Sequence, residues 1–418
     1  MSNCRLRGPI PAAGPSGKSQ QERGIFMYQN ILEEALELKG QLTEWRRALH
    51  QMPEVGLELP KTSAFVQKAL ADMGIPSQVS VNGSCVTALL GSGPRCFLLR
   101  SDMDALPMEE ESGLPFASEN GCMHACGHDM HAATLLGAAL LLKRHESELK
   151  GQVKLLFQPG EETFNGAKAA VEEGVLENPT VDAAFAMHVF AQVPMNTIAY
   201  GEHPLASVFG FKITLTGVGG HGSMPEACID PINTGVHIYL ALQELIAREC
   251  PPEKEAALTI GQFSAGSASN IIPQQAVLQG TLRTFDPEVR DYLIGRIRQV
   301  SQGVADTYRT GMDFEVLCNV PSVVCNPALN EELIGCLKEM DPKLNTLPVF
   351  HVMGSEDFAF ISEKVPSSYF TVGAAVEEES ERYGQHNPKV RFNEDALPTA
   401  AAAYTCAALE WLARHGEN

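Results

Sequence analysis

Apolar residues recur every three or four positions from Tyr28 to His50, the spacing of a helix with one buried face. Lys61–Met73 carries the same period. The pattern then shortens. Cys85–Leu90, Cys96–Arg100, Val153–Gln158 and Ala183–Val189 are short apolar runs that predict strands. Helical periods over Asp129–His145 and Gly166–Glu173 fall among them. Strand and helix alternating in this way predict an α/β layer with a largely parallel sheet.

Between about Val208 and Leu317 the pattern changes. Phe211–Thr216 predicts a strand, Asp230–Arg248 a helix, Ala257–Ser264 and Ala276–Phe285 strands, Pro287–Tyr308 a helix and Asp313–Cys318 a strand. That β-α-β-β-α-β order is the ferredoxin-like split βαβ arrangement. It predicts a second domain over 207–318, inserted into a first domain made of 28–206 and 319–418. The α/β pattern resumes at Phe350–Val352 and Tyr369–Val372 and closes with a helix over Glu394–Arg414. Residues 1–27, rich in Pro, Gly and Ser, predict a disordered extension without the apolar stretch of a secretory signal. Met27 stands where ordered sequence begins and is an alternative start.

A length of 418 residues fits two or three domains at roughly 150 residues each. Hydrophobic residues make up 44% and charged residues 20%, enough for a packed core. The net charge of −20 argues against nucleic acid or an anionic membrane as partner. The longest apolar stretch, Ala132–Leu142, is interrupted by Thr134 and Gly137 and predicts a buried helix, since a membrane span needs roughly 18 apolar residues. Eleven cysteines, an odd number at irregular spacing, predict a reduced, cytoplasmic protein without a disulfide framework.

The chemistry concentrates in Met123-His124-Ala125-Cys126-Gly127-His128-Asp129-Met130-His131. Singly, His128 and Asp129 would pass for helix caps and Cys126 for core filler. Their density argues for a bound ion, and thiolate with imidazole favours a first-row transition metal over Mg²⁺ or Ca²⁺. Glu161 and Glu162 follow a predicted strand, at the sheet edge where ligands gather in open α/β folds. Adjacent carboxylates leave the chain in different directions, so one can bind metal while the other takes a proton from water. His188 ends another strand, and His386 lies in a turn-rich loop before the last helix.

SDMDALP (Ser101–Pro107), MHACGHDMHAA, FQPGEE, MHV, GVGGHGSMP (Gly217–Pro225) and MGSEDFA (Met353–Ala359) occur in that order, after RRALHQMPEVGLELPKTS (Arg46–Ser63). Together they resemble the M20 metallopeptidase family and its amidohydrolase branch, from about Glu44 to the last helix. The resemblance implies a di-metal, exopeptidase-like α/β catalytic domain with an inserted ferredoxin-like lid and dimerisation domain. It also implies Cys126, His128, Glu162, His188 and His386 as ligands of two divalent transition-metal ions, Mn or Zn, with Co or Ni compatible. Glu161 would be the general base and Asp104 a support for the metal site. His124 and His131 compete as ligands, and His131 is expected to pack or support.

In the inserted domain, the resemblance implies that His221 of the glycine-rich loop stabilises the oxyanion, often from the other subunit of a homodimer. Asn270, Arg283 and Gly354 would lie near the substrate, with Arg283 a candidate clamp on its carboxylate. After the glutamate pair this chain reads Thr163-Phe164-Asn165-Gly166, where many relatives have a glycine-rich run. The implied reaction is hydrolysis of an N-acyl amino acid to a carboxylate and a free amino acid. A di-metal dipeptidase or aminopeptidase, and an amino-acid- or peptide-binding protein without catalysis, are the alternatives.

Overall fold

The computed structural model describes residues 20–348 and 350–416. Of the expected disordered extension, residues 1–19 lie outside the described residues, whereas a helix already runs from Gln20 to Glu37. The single helix expected over Tyr28–His50 is therefore two, Gln20–Glu37 and Lys39–His50. They part at Leu38, whose ψ of −3° leaves the helical range. The break lets both pieces pack on the long helices His128–Arg144 and Ala396–His415.

The first unit is built on an eight-stranded sheet. Its order is Ser77–Ser80, Cys85–Gly91, Gln152–Gln158, Cys96–Asp102, Ala183–Phe190, Ser367–Gly373, Thr197–Tyr200, Asn345–Leu347. The four central strands run parallel, but the sheet is mixed rather than largely parallel. Ser77–Ser80 and Cys85–Gly91 form a hairpin, and Cys85–Gly91 is antiparallel to Gln152–Gln158. The hairpin follows from its short connection, in which Val81, Asn82 and Gly83 all take positive φ; a parallel pair needs a much longer crossover. On the far side Thr197–Tyr200 is antiparallel to Ser367–Gly373. Phe350–Val352 is not a strand: only Val352 bridges, to Leu205, and the edge strand is Asn345–Leu347.

Every residue of Cys96–Asp102 is buried, because both sheet faces are covered. Phe97 and Leu99 face the layer of His128–Arg144 and Ala396–His415, while Cys96 and Leu98 face the layer of Gly166–Glu172 and Ala359–Ser362. This is the two-residue alternation of a strand. The interruption at Gly137 has a packing cause: a Cβ there would lie 2.5 Å from Leu42 Cδ2, so glycine lets the helices approach.

Residues Ser207–Val320 form a second unit with its own core. Its antiparallel sheet has the order Gly311–Val320, Ser207–Thr216, Gln275–Thr284, Ala256–Ala265, the order of a ferredoxin-like βαββαβ unit. Pro231–Glu244 and Pro287–Tyr308 pack on one face. Both helices open on Asp-Pro: Asp230 accepts the Ile232 N–H at 2.8 Å, and Asp286 accepts those of Glu288 and Val289 at 2.9 and 3.0 Å. The first ends at Glu244 and continues as a wider turn, Leu245–Glu249, where a helix to Arg248 was expected. The chain leaves and re-enters the first unit side by side, at the bridge Leu205–Val323. No described helix is long and apolar enough to cross a membrane.

Candidate metal centre and substrate pocket

The parallel strands Gln152–Gln158, Cys96–Asp102 and Ala183–Phe190 bring their C-terminal ends to one sheet edge. The segments that follow carry Asp104, Glu161 and Glu162 to the place where His188 ends its strand. Cys126 and His128 enter from the start of the helix His128–Arg144. Between them Gly127 has φ +93°, and a Cβ would lie 2.6 Å from Val189 Cγ2, so only glycine lets both donors turn to the same side. His386 also holds positive φ, +63°, with its N–H donating to the Ala125 carbonyl at 3.0 Å.

Donor atoms of Cys126, His128 and His188 lie within 4.8 Å of one another, as do those of Cys126, Glu162 and His386, and of His128, Glu161 and Glu162. Cys126 Sγ is 3.3 Å from His188 Nε2, and His386 Nε2 is 3.3 Å from Glu162 Oε1. The tautomers of two imidazoles are fixed. His188 Nδ1–H donates to the Val189 carbonyl at 2.7 Å and His128 Nδ1–H to the Asp104 carbonyl at 3.0 Å, leaving each Nε2 lone pair for an ion. His128 Nε2 and Glu162 Oε1 are buried without a hydrogen-bond partner. Orphaned, convergent S, N and O donors of this kind fit a transition metal.

Asp104 joins the two sides. Its carboxylate accepts the backbone N–H groups of Glu161 and Glu162, both at 3.1 Å, while its carbonyl holds His128. Glu161 is buried; desolvation, then the neighbouring carboxylates Glu356, Glu162 and Asp357, hold its carboxyl well above the usual range. A carboxylate with raised proton affinity is suited to take a proton.

Sequence reasoning missed the buried charge cluster behind Glu161. Arg100 is 1% exposed and donates to Gln158 (2.9 Å), Asp102 (2.7 Å), Glu356 (2.7 Å) and Asp357 (3.1 Å). Tyr369 adds its hydroxyl to Glu356 at 2.9 Å. His131 is bound on both sides, by Asp102 at Nδ1 (2.5 Å) and the Val189 N–H at Nε2 (2.8 Å). His124 is buried with neither ring nitrogen hydrogen-bonded, and burial lowers its pKa to about 3. The signal available was SDMDALP itself, which has two aspartates on alternate residues.

Cys126, Glu161, Glu162, His188 and His386 line a cavity of about 280 Å³, together with Arg283 and Gly354. Arg283 Nη1 donates to the Met353 carbonyl (2.8 Å) and Ser355 Oγ (2.9 Å), which ties it to the Gly354 loop. His221 and Asn270 are not among the lining residues. They sit together on an exposed ribbon, Gly220–His221 paired with Ile271–Ile272, where the Gly222 N–H donates to the Asn270 carbonyl at 2.9 Å.

The family model of peptidase family M20/M25/M40 matches residues 98–410. An N-acetyl-L-cysteine deacetylase of Bacillus subtilis (strain 168) is 36% identical, over 87% of this chain and 86% of that protein. The IAA-amino acid hydrolase ILR1-like 4 of Arabidopsis thaliana is 37% identical over 88% and 84%. Thermostable carboxypeptidase 1 of Saccharolobus solfataricus is 33% identical over 92% and 99%. The Bacillus subtilis YXEP protein, a dinuclear metal binding peptidase of the M20 family, superposes with a TM-score of 0.77 at 32% identity, over 90% of this chain and 99% of that one. With motifs, fold and family model in agreement across most of its length, the chain belongs to peptidase family M20/M25/M40 and is a hydrolytic enzyme acting on amides.

Proposed function

We propose that the protein hydrolyses N-acyl amino acids at a centre of two divalent transition-metal ions, manganese or zinc, held by Cys126, His128, Glu162, His188 and His386. The observation that carries this reading is Glu161: a buried carboxylate of raised proton affinity, hydrogen-bonded through its backbone to Asp104, next to orphaned metal donors. Bound ions would polarise the amide carbonyl and lower the pKa of water. Glu161 takes a proton from the attacking water and delivers it to the departing nitrogen as the C–N bond breaks. The products are a carboxylate and a free amino acid. Arg283, in the pocket lining, pairs with the substrate carboxylate.

The second unit acts as a lid and dimerisation domain. Its strand Ala256–Ala265 is an open sheet edge, and Val218, Met224 and Ile271 are exposed apolar residues around His221. Both features support a homodimer in which His221 and Asn270 serve the partner's pocket. The odd number and irregular spacing of the eleven cysteines support a reduced, cytoplasmic setting.

A panel of acetyl, benzoyl, phenylacetyl, indoleacetyl and long-chain acyl amino acids, assayed with defined metals beside unblocked dipeptides, tests the reaction. Turnover of the acylated compounds alone is expected. Turnover of dipeptides alone would mean a dipeptidase, and no turnover by metal-replete protein would mean a binding protein.

A further inference from the structure

Phe164 closes the turn that begins at Glu161, its N–H donating to the Glu161 carbonyl at 2.8 Å. Its φ is +56°, a region where glycine is the default and a bulky residue an outlier. The same loop uses glycine where a side chain cannot fit. A Cβ on Gly160 would lie 2.5 Å from Leu57 Cδ2, and one on Gly166 1.6 Å from the Pro159 carbonyl oxygen. At position 164 the chain instead holds an aromatic ring in glycine's conformation, and that ring lines the cavity of Cys126, Glu161, Glu162 and His188. Strained residues at a site border persist where the surrounding structure and the function require the side chain.

The ring has matching company. Phe190, Leu205 and Val352 also line this cavity. Phe190 is fixed between His188 and Phe350, with ring centroids 5.2 and 5.4 Å away. Arg283 and Ser355, joined to each other at 2.9 Å, also line it.

We infer that Phe164 is a specificity-determining residue: it walls the acyl subsite and selects N-acyl amino acids whose acyl group carries an aromatic ring over acetylated ones. The inference rests on the proposed reaction, with the substrate carboxylate at Arg283, the amide at Glu161 and the acyl group against Phe164. An aromatic acyl group buries far more apolar surface there than a methyl does, and ring–ring contact adds to it.

The test compares kcat/KM for benzoyl and acetyl derivatives of one amino acid in metal-replete wild type, Phe164→Gly and Phe164→Asn. Glycine and asparagine both tolerate positive φ, so neither variant strains the turn, and thermal melting beside kinetics shows that each is folded. The benzoyl-over-acetyl ratio should fall about 10-fold or more in both. An unchanged or increased ratio would overturn the inference. So would an effect that follows the amino-acid side chain when the acyl group is held at benzoyl. Wild-type protein that cleaves acetyl and benzoyl substrates, with a ratio indifferent to position 164, refutes only the assignment of Phe164. Wild-type protein that cleaves no N-acyl amino acid refutes the reaction itself.

Discussion

Asp102 Oδ1 lies 2.5 Å from His131 Nδ1, and the pair is buried at the edge of the candidate metal centre. On the other side of the ring the Val189 N–H donates to Nε2 at 2.8 Å. A ring nitrogen that accepts a backbone N–H has no lone pair left for an ion, and the remaining ring proton belongs to the bond with Asp102. His131 is thereby set apart from His128, whose Nε2 has no hydrogen-bond partner, and from His188, whose Nε2 meets Cys126 Sγ at 3.3 Å.

His131→Ala should therefore keep the full metal stoichiometry at saturation. Metal affinity should fall about 10–100-fold as support for the neighbouring ligands is lost. Stability should drop by about 1–3 kcal/mol, since Asp102 and the Val189 N–H lose a buried partner. Metal titration and denaturant unfolding measure both. Loss of one ion at saturating metal would make His131 a ligand after all.

Glu161 and Glu162 share a turn but differ in surroundings. Glu161 faces Glu356 and Asp357, while Glu162 faces Cys126 and His386. Glu161→Gln should retain metal and lose about 10²–10⁴-fold in kcat, because an amide cannot accept the proton. Glu162→Gln should lose metal occupancy first. Metal analysis beside single-substrate kinetics separates them, and exchanged phenotypes would reverse the two roles.

The convergence of these donors was readable because the motifs are dense in sequence: Cys126 and His128 are separated by one glycine, and the glutamates are adjacent. The Arg100 cluster was not, since it joins residues from Arg100 to Asp357 and each looks like an ordinary charge until the strands pair. Asp104 drew attention, while Asp102, two residues earlier, is the one that holds Arg100 and His131. The second unit was readable from period and from Asp-Pro helix starts, with ends moved by a few residues. The break at Leu38 was not, because a change in ψ at one residue leaves the apolar period intact on both sides. Periodicity also says nothing of strand direction, so the antiparallel margins of the large sheet came only with the turn at Val81–Gly83.

The neighbouring Cys126 and Glu162 push His386 up to about 10 in the metal-free protein, and burial with Glu162 nearby raises the Cys126 thiol. Both groups thus hold protons at neutral pH and must release them to serve as ligands. Metal affinity should rise with pH through the neutral range towards about 10, and fall as acid returns those protons. Calorimetric titrations in two buffers of different ionisation enthalpy should give different apparent heats, reporting proton release. Buffer-independent heats would contradict the ligand set. Exhaustive chelation should abolish turnover and added Mn²⁺ or Zn²⁺ restore it, while Cys126→Ala should lose metal and activity together.

His221 is exposed on its ribbon, and its Nδ1 accepts from Ser223, at 3.1 Å from the backbone N–H and 2.7 Å from the hydroxyl. That leaves Nε2–H as a donor, and His221 is not among the residues lining the pocket of the same chain. A donor aimed at a developing oxyanion stabilises the tetrahedral species more than the ground-state carbonyl, and losing one typically costs about 10²–10³-fold in turnover. His221→Ala should show that loss in kcat with normal metal content. If the donor acts across a homodimer, mixing His221→Ala with Glu161→Gln protomers under subunit exchange should restore part of the activity. One pocket of the mixed dimer then combines an intact Glu161 with an intact His221 from its neighbour. Mixed dimers that demonstrably form and stay inactive would exclude action in trans, and a fully active His221→Ala protein would reduce the histidine to a turn residue.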